Sequence, residues 1–215
     1  SLTDEEVEKG IALLKPIVGE RRRQRFDEVL KWRTKNVRFL FEHPDNPNNV
    51  WACLRTLDSF GVQNIDVVAN PFANENGRSK GRLRAMSTAV GSQRWLTISG
   101  HASTAAAVAR LRADGYQIVA SDLSDEAVPI EELTWDVPTA VVLGNEQRGI
   151  SKDMRRLCDA TFRIPMRGFA ESLNLSVACT VALAHLSQCG GLRPGDLSPA
   201  ERRRVLLAWL SASVP

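Results

Sequence analysis

The hydrophobic pattern of the chain changes near residue 37. From there onward, short apolar runs rich in β-branched residues alternate with segments long enough for helices. This alternation is typical of an α/β fold with a mostly parallel sheet and helices on both of its faces. The predicted strands are Val37–Glu42, Ile65–Val68, Trp95–Ile98, Gln117–Ala120, Thr139–Leu143 and Thr161–Ile164. The predicted helices are Asn49–Phe60, Arg82–Val90, Thr104–Ala113, Lys152–Leu157 and Leu173–Gln188.

Both ends of the chain differ from this alternating core. Residues 1–36 are predicted to be a basic helical segment, residues 37–189 the α/β core, and residues 190–215 a linker with a last helix. In that helix we expect Ser198 to cap the N-terminus, Pro199 to occupy the first turn and Glu201 to complete a capping box. Its apolar residues recur at helical spacing and need a partner surface, either the core or a second subunit. They are Val205, Leu206, Trp209 and Leu210.

The basic residues are unevenly distributed, although the formal net charge is only +3. Residues 8–38 hold ten Lys or Arg against four acids, whereas residues 116–146 hold seven acids and no Lys or Arg. A polyanion-binding surface requires clustering of this kind. A run such as 21–25 can equally be the solvated face of a helix. Aromatic residues make up only 6% of the chain, which favours phosphate contacts over a stacking platform for single-stranded nucleic acid.

Composition argues against several classes of protein. The chain is 43% hydrophobic and 25% charged, as in ordinary globular proteins. Its apolar runs are too short for a membrane span, and its first residues lack the features of a signal peptide, so we expect a cytoplasmic location. The cysteines have no CxxC spacing and the three histidines lie far apart, so we expect no metal site and reduced, buried thiols. The cysteines are Cys53, Cys158, Cys179 and Cys189.

Three loops that follow predicted strands are candidate sites, because ligands of open α/β sheets bind beyond the carboxyl ends of strands. They cover residues 42–49, 144–151 and 165–176. Each has an ordinary structural interpretation, with Asn48 or Asn49 capping one helix and Ser172 capping another. The second loop lacks the lysine of a phosphate-binding P-loop, since Ile150 occupies that position. The Gly-rich dinucleotide fingerprint and the nucleophile motif of serine hydrolases are also missing.

The ordered set of loops is more specific than any one of them. Asn49 is followed six residues later by Arg55, then comes Leu-Gly-Asn-Glu-x-x-Gly-Ile-Ser at 143–151, then Ile-Pro-Met-x-Gly-x-x-x-Ser-Leu-Asn-Leu-Ser at 164–176. This set resembles the three motifs of the SPOUT methyltransferases, TrmH branch, over roughly residues 36–188. The basic first segment and the last helix resemble the subgroup that methylates a guanosine 2′-oxygen in tRNA. The resemblance implies S-adenosylmethionine as cofactor, a homodimer, and a deep trefoil knot in the C-terminal half of the core.

The resemblance also implies roles for individual residues. Arg55 would be the catalytic arginine. Since arginine stays protonated in proteins, we expect it chiefly to hold a phosphate and favour the ribose alkoxide, with proton removal shared by that phosphate or a perturbed guanidinium. The residues expected to orient Arg55 and the substrate are Asn49, Glu146, Ser172 and Asn174. The residues expected at the cofactor are Ser121, Leu143, Gly144, Ile164, Met166 and Leu173, with glycine at 144 letting the backbone approach the ligand. The residues expected to grip tRNA phosphates are Arg21, Arg22, Arg23 and Arg25.

The resemblance implies guanosine 18 in the D-loop of tRNA as the substrate. There are three alternative functions. One is a ribose 2′-O-methyltransferase of the same branch that acts on ribosomal RNA. Another is a non-catalytic RNA-binding protein with the same fold, which retention of the whole motif set disfavours. A small-molecule-binding α/β protein would leave the basic segments unexplained. Two positions depart from the family pattern, Trp51 and Asn145, and neither is a proposed catalytic group.

Overall fold

The structure, a computed structural model, describes residues 2–68 and 91–214. The helices in these ranges are α1 Asp4–Leu14, α2 Glu20–Leu30, α3 Pro47–Ser59, α4 Thr104–Ala113, α5 Lys152–Leu157, α6 Leu175–Gln188 and α7 Pro199–Ser211. The strands are β1 Val37–Glu42, β2 Asn64–Val68, β3 Thr97–His101, β4 Gln117–Ser121, β5 Val128–Pro129, β6 Thr139–Leu143 and β7 Ala160–Arg163. Two 3₁₀ turns cover Gly91–Trp95 and Ile130–Glu132.

The seven described strands form one all-parallel sheet in the order β3-β2-β1-β6-β4-β7-β5. Strand β6 lies between β1 and β4, so that Val141 is paired with both Phe39 and Val119. The parallel arrangement confirms the α/β prediction. It also brings the carboxyl ends of β6, β4 and β7 side by side at one edge of the sheet, where the second and third candidate loops begin.

Helices cover both faces of the sheet. In β1, Phe39 and Phe41 belong to the apolar core beneath α3 and α6, whereas Leu40 belongs to the core beneath α4 and α5. This alternation follows from the period of two along a strand. The thiols of Cys53 on α3 and Cys179 on α6 are buried in the first core, and burial raises the pKa of Cys179 well above its usual range.

The cysteine prediction is only partly confirmed. All four cysteines are free thiols, and Cys53 and Cys179 are buried. Cys158 is only half-buried, and Cys189 is exposed just beyond the end of α6, so the expectation of burial is wrong for it. Among the described residues, no cluster of His, Cys, Asp or Glu is suited to a metal ion. No helix within the described ranges has the length and apolar character needed to cross a bilayer.

The terminal helices pack on one another. Their shared core has Trp209 of α7 at its centre, 5.4 Å between ring centroids from Phe26 of α2 and 6.1 Å from Trp95. The Arg33 guanidinium lies 5.2 Å from the centroid of the Trp209 ring, within the range of a cation–π contact. The apolar face of α7 therefore finds its partner in the first two helices, and the predicted capping box of Ser198 and Glu201 is present.

Two helices start at different residues than the sequence suggested. Asn46 caps α3, because its side chain accepts a hydrogen bond from the Asn48 amide and Pro47 fills the first helical turn. The predicted cap at Asn48 or Asn49 is therefore wrong. Likewise Asn174 caps α6 by accepting from the Ser176 amide, so Ser172 is not a cap.

The edge of the sheet shows the other differences. Strand β3 begins at Thr97 rather than at Trp95, because Trp95 packs against the core around Trp209. Strand β5 was not predicted, since two residues ending in a proline carry no alternating pattern. The predicted helix Arg82–Val90 lies outside the described residues.

Candidate active site

A chain of hydrogen bonds joins the three motifs at the carboxyl end of the sheet. The Glu146 carboxylate accepts from Asn49 Nδ2 at 2.9 Å and from the backbone amides of Asp45 at 3.0 Å and Asn46 at 3.3 Å. Asn174 Nδ2 in turn donates to Asn49 Oδ1 at 3.2 Å. The structure thus brings together three of the five residues expected to be catalytic.

The environment of Glu146 keeps its carboxyl ionised. Partial burial by itself would raise the pKa, but the hydrogen bonds from Asn49 and from the Asp45 and Asn46 amides outweigh it, and the pKa lies below its ordinary value. A carboxylate with a lowered pKa is a weak base at neutral pH. Glu146 is therefore suited to hold the first motif in place rather than to remove a proton.

A second carboxylate, that of the buried Glu42, anchors the same region. Sequence reasoning did not single it out. Glu42 at the end of β1 accepts from the Ser151 amide at 2.8 Å and the Ser151 hydroxyl at 2.6 Å, and also from the Thr104 hydroxyl. Ser151 is the cap of α5 and Thr104 is the first residue of α4. Glu42 thus fixes the far end of the 144–151 loop. An acid directly after the apolar run at residues 39–41 is the signal that could have revealed it.

A cavity of about 460 Å³ opens beside this network, at the ends of β4, β6 and β7. All six residues expected at the cofactor line it: Ser121, Leu143, Gly144, Ile164, Met166 and Leu173. Glu146 and Ser172 also line it, whereas the α3 residues Asn49 and Arg55 do not. The second and third motifs therefore build one cavity, and the first motif lies next to it.

An ion pair that sequence reasoning missed forms part of the cavity wall. Arg155 donates to both carboxylate oxygens of Asp122, each at 2.9 Å, and Ser124 Oγ donates to the same carboxylate. Burial by itself would raise the pKa of Asp122, but the bonds from Arg155 and Ser124 hold it below its ordinary value. The wall thus carries an ionised pair directly after β4.

The structure gives a reason for glycine at position 144 that the sequence did not. A Cβ atom there would lie 2.3 Å from the carbonyl carbon of Gly149 and 2.4 Å from the Ile150 nitrogen. The 149–150 backbone thus crosses directly over residue 144. Glycine is required because the motif folds back on itself, and this contact alone excludes a side chain. The approach of the Gly144 backbone to the cofactor stays a prediction.

Arg55 stands apart from the network. Its side chain is exposed on α3, and among the described residues no hydrogen bond or ion pair holds its guanidinium. Asn49 and Glu146 bond to each other rather than to Arg55, so the predicted clamp on the guanidinium is not formed in the structure. Six residues along a helix turn by roughly 240° from the starting face, which explains why Asn49 and Arg55 point in different directions.

The basic segment is only partly available to a ligand. Three of its cations are engaged internally: Arg33 with Asp58, Arg38 with Asp66 at 2.8 Å, and Lys35 with Glu201 at 2.7 Å. The excess charge of residues 8–38 therefore overstates the exposed positive surface. Of the four arginines expected to bind phosphates, Arg21, Arg22 and Arg25 are exposed and Arg23 is half-buried on α2.

Comparisons with known proteins agree with this architecture. A sequence profile of the SpoU rRNA methylase family matches residues 36–184. The chain is 35% identical over 189 residues to the tRNA (guanosine(18)-2′-O)-methyltransferase of Escherichia coli K12, covering 85% of this chain and 79% of that protein.

Two solved structures are also similar. The TrmH/SpoU tRNA modifying enzyme of Aquifex aeolicus superimposes with a TM-score of 0.75 at 29% identity, over 91% of this chain and 98% of that one. The SpoU methyltransferase AviRb of Streptomyces viridochromogenes, in complex with the cofactor AdoMet, superimposes with a TM-score of 0.59 at 28% identity, over 75% of this chain and 63% of that one. The profile spans more than half of the chain and includes all three motifs, and the chain belongs to the SpoU rRNA methylase family.

Proposed function

We propose that the protein transfers a methyl group from S-adenosylmethionine to the ribose 2′-oxygen of guanosine 18 in the D-loop of tRNA. The observation that carries the proposal is the cavity, which gathers all six expected cofactor residues beside the Asn49–Glu146–Asn174 network. The similarity to the E. coli tRNA methyltransferase over most of both chains supports the choice of substrate.

The cavity fits this cofactor. Its volume of about 460 Å³ lies in the usual range for small-molecule sites. Leu143, Ile164 and Leu173 provide apolar walls for an adenine ring, and the hydroxyls of Ser121 and Ser124 provide polar groups for a ribose or an amino acid moiety. When bound, the cofactor supplies an electrophilic methyl group on a sulfonium.

The residues of this chain orient the acceptor and favour its ionised form. Glu146, Asn49 and Asn174 hold the first and third motifs in register, and Ser172 at the cavity rim positions the ribose, which is catalysis by orientation. We assign to Arg55 the binding of a phosphate next to the target and the stabilisation of negative charge on the 2′-oxygen. The proton leaves to that phosphate or to a guanidinium perturbed by the bound substrate.

The terminal helices are proposed to bind the body of the tRNA. Residues 1–36 and 190–215 would act as one RNA-binding unit beside the 37–189 catalytic core, since α1, α2 and α7 share a core of their own. Arg21, Arg22, Arg23 and Arg25 on α2 are assigned to phosphates. Each phosphate contact adds about 0.7–0.9 to the slope of log affinity against log salt.

A second copy of the chain is proposed to cover the outer face of α3 and α6. Ala52 on α3 is exposed, and Val177 on α6 is 46% exposed. Phe169 in the third loop is exposed as completely as in an extended peptide, at 109%. In such a dimer Arg55, which does not line the cavity of its own chain, can serve the site of the partner.

A trefoil knot is proposed for the C-terminal half of the core. After β7 the chain continues into α6, which packs against α3. In the sheet, β6 and β4 lie between β7 and β1, the strand that precedes α3. The 165–174 segment must therefore cross the edge where the 144–151 loop stands. That loop is fastened to β1 by Glu42 and by the bond from Asn145 Nδ2 to the His43 carbonyl. We propose that the chain passes through this fastened loop, which would make the knot.

Because tRNA is the proposed substrate, we also propose that the protein acts in the cytoplasm.

The substrate is tested by offering the protein labelled S-adenosylmethionine with either unmodified tRNA transcripts or ribosomal RNA of the same organism. We expect label in tRNA only. Label in ribosomal RNA alone would replace the proposal by the ribosomal activity of the same family. Cofactor binding without label in either RNA would favour a protein that binds RNA without modifying it.

A further inference from the structure

One face of α2 combines cations with an exposed tryptophan. Arg22, Arg25, Val29 and Trp32 follow one another at intervals of three, four and three residues, which places them on the same side of the helix and its end. Among residues 2–68 and 91–214, the one partner of the Arg25 guanidinium is Glu28, in a surface ion pair at 3.1 Å. Such pairs are weak, so Arg25 can exchange Glu28 for another anion.

The tryptophan forms one wall of a groove. Trp32 is 64% exposed. The groove that it lines is also formed by Arg25, Glu28, Val29, Asp58, Ser59, Phe60, Gly61 and Pro194. The groove has a volume of about 610 Å³. The two carboxylates of the lining are each paired with an arginine, Glu28 with Arg25 and Asp58 with Arg33. The groove therefore offers an aromatic ring, an arginine and a hydroxyl around a concave space, which suits a planar ring with a polar edge.

The backbone that carries Trp32 is held on both sides. Its amide donates to the Val29 carbonyl at 3.0 Å, and its carbonyl lies so close to Gly61 that a Cβ there would be 2.5 Å away. Gly61 has a φ of +82°, a conformation that favours glycine. The backbone that carries the ring is therefore already fixed, and little conformational freedom is lost when a ligand binds.

The groove is next to the arginine assigned to catalysis. Ser59 follows Arg55 by four residues on α3, and the Ser59 hydroxyl donates to the Arg55 carbonyl at 2.9 Å. Residues at this spacing lie on one helix face, about 6 Å apart along the axis. A polynucleotide whose phosphate is held by Arg55 therefore passes the groove with a neighbouring nucleotide.

We propose that the Trp32 groove is a nucleobase-binding site, in which an unpaired base of the tRNA stacks on Trp32 while Arg25 contacts its phosphate. The assignment deepens the proposed function and depends on RNA being the substrate. Aromatic rings that stack with splayed bases are a general means of RNA recognition. The second copy proposed for the outer face of α3 and α6 is a poorer occupant of the groove itself, because a symmetric contact there would bring the two sets of α2 arginines together.

The test is equilibrium binding of an unmodified full-length tRNA transcript, measured without cofactor at several salt concentrations. Replacing Trp32 by Ala is expected to weaken binding roughly 5- to 100-fold, the range found for loss of one stacked base. Trp32→Phe is expected to restore most of the affinity. Val137→Ala, which trims a side chain that is 48% exposed and lies outside the terminal helices and the cavity, is the control and is expected to bind like the unaltered protein.

The salt dependence separates stacking from a general loss of structure. We expect Trp32→Ala to leave the salt slope unchanged, since a ring carries no charge, and Arg25→Ala to reduce the slope by about 0.7–0.9. Unchanged affinity in Trp32→Ala overturns the proposal, and so does a change in molecular mass by sedimentation, which would indicate a contact between copies. Normal Trp32-dependent binding without methyl transfer would refute the proposed function and leave the groove assignment standing.

Discussion

Substitution of Glu146 tests the site most sharply, because its carboxylate holds Asn49 and the turn that leads into α3. Three hydrogen bonds reach it, from Asn49 and from the Asp45 and Asn46 amides. A hydrogen bond to a charged group contributes about 1.5–3 kcal/mol. The loop is partly exposed, so released donors regain water, and about 1 kcal/mol per bond is the better figure. Glu146→Ala should therefore lower the free energy of unfolding by about 2–3 kcal/mol.

Glu146→Gln should be milder, for a geometric reason. An amide oxygen at the Oε1 position still accepts from Asn49 and Asn46, whereas the amide nitrogen at the Oε2 position faces the Asp45 N–H. One bond of three is lost, so we expect a loss of about 1 kcal/mol. Turnover should fall about 100-fold in Glu146→Ala, as for a catalytic group displaced by about 1 Å, and less in Glu146→Gln.

Urea unfolding and single-turnover methyl transfer measure the two effects. A double-mutant cycle with Asn49→Ala supplies the control, because the coupling between neighbours should appear as a non-additive part of at least about 0.5 kcal/mol. Equal effects of Gln and Ala, or strict additivity with Asn49→Ala, would refute the view that Glu146 acts by holding the first motif.

Three further predictions concern the neighbouring groups. Arg55→Ala should slow turnover about 100- to 1000-fold yet change the free energy of unfolding by less than about 0.5 kcal/mol, since the side chain is exposed; a matched loss of stability in urea would assign Arg55 to the fold. Gly144→Ala should destabilise by about 1–3 kcal/mol and weaken cofactor binding measured by calorimetry, whereas Gly168→Ala, with open space around its Cβ, should do neither. Because the folded pKa of Asp122 is lowered, its pair with Arg155 contributes stability above the unfolded pKa of about 3.9 and loses it as pH falls below that value. Asp122→Asn should therefore lose less stability than the unaltered protein in urea titrations between about pH 5 and pH 3, and parallel curves would exclude this contribution.

The sheet was largely predictable from the sequence, and the caps were not. Strands β1 and β6 match their predicted bounds. β6 is almost entirely apolar and β1 contains the apolar run at residues 39–41, as expected of buried parallel strands. The start of α3 was misplaced because three asparagines, Asn46, Asn48 and Asn49, are possible caps. Only Pro47, which favours the first helical turn, indicates that Asn46 is the cap. Asn49 does not cap α3 and instead donates to Glu146, which is 97 residues further along the chain. Local sequence patterns contain no information about such a contact.

The site residues were found through the motifs, while their geometry came from the fold. The six residues expected at the cofactor line one cavity, so the structure places them together. That they bind the cofactor stays a prediction. The wall pair of Asp122 and Arg155 and the anchor Glu42 were missed, since each joins segments far apart in the chain. Arg33 and Arg38 appeared to belong to a basic surface, but Arg33 is itself buried and pairs with Asp58, and Arg38 pairs with the buried Asp66.

The most direct test uses two tRNA transcripts that differ by one oxygen atom. One carries guanosine at position 18 and the other carries 2′-deoxyguanosine there, and both are incubated with the protein and labelled S-adenosylmethionine. We expect label only in the first, recovered as 2′-O-methylguanosine by mass spectrometry of the nucleosides. Equal label in both transcripts, or label on a base, would contradict ribose methylation at that guanosine.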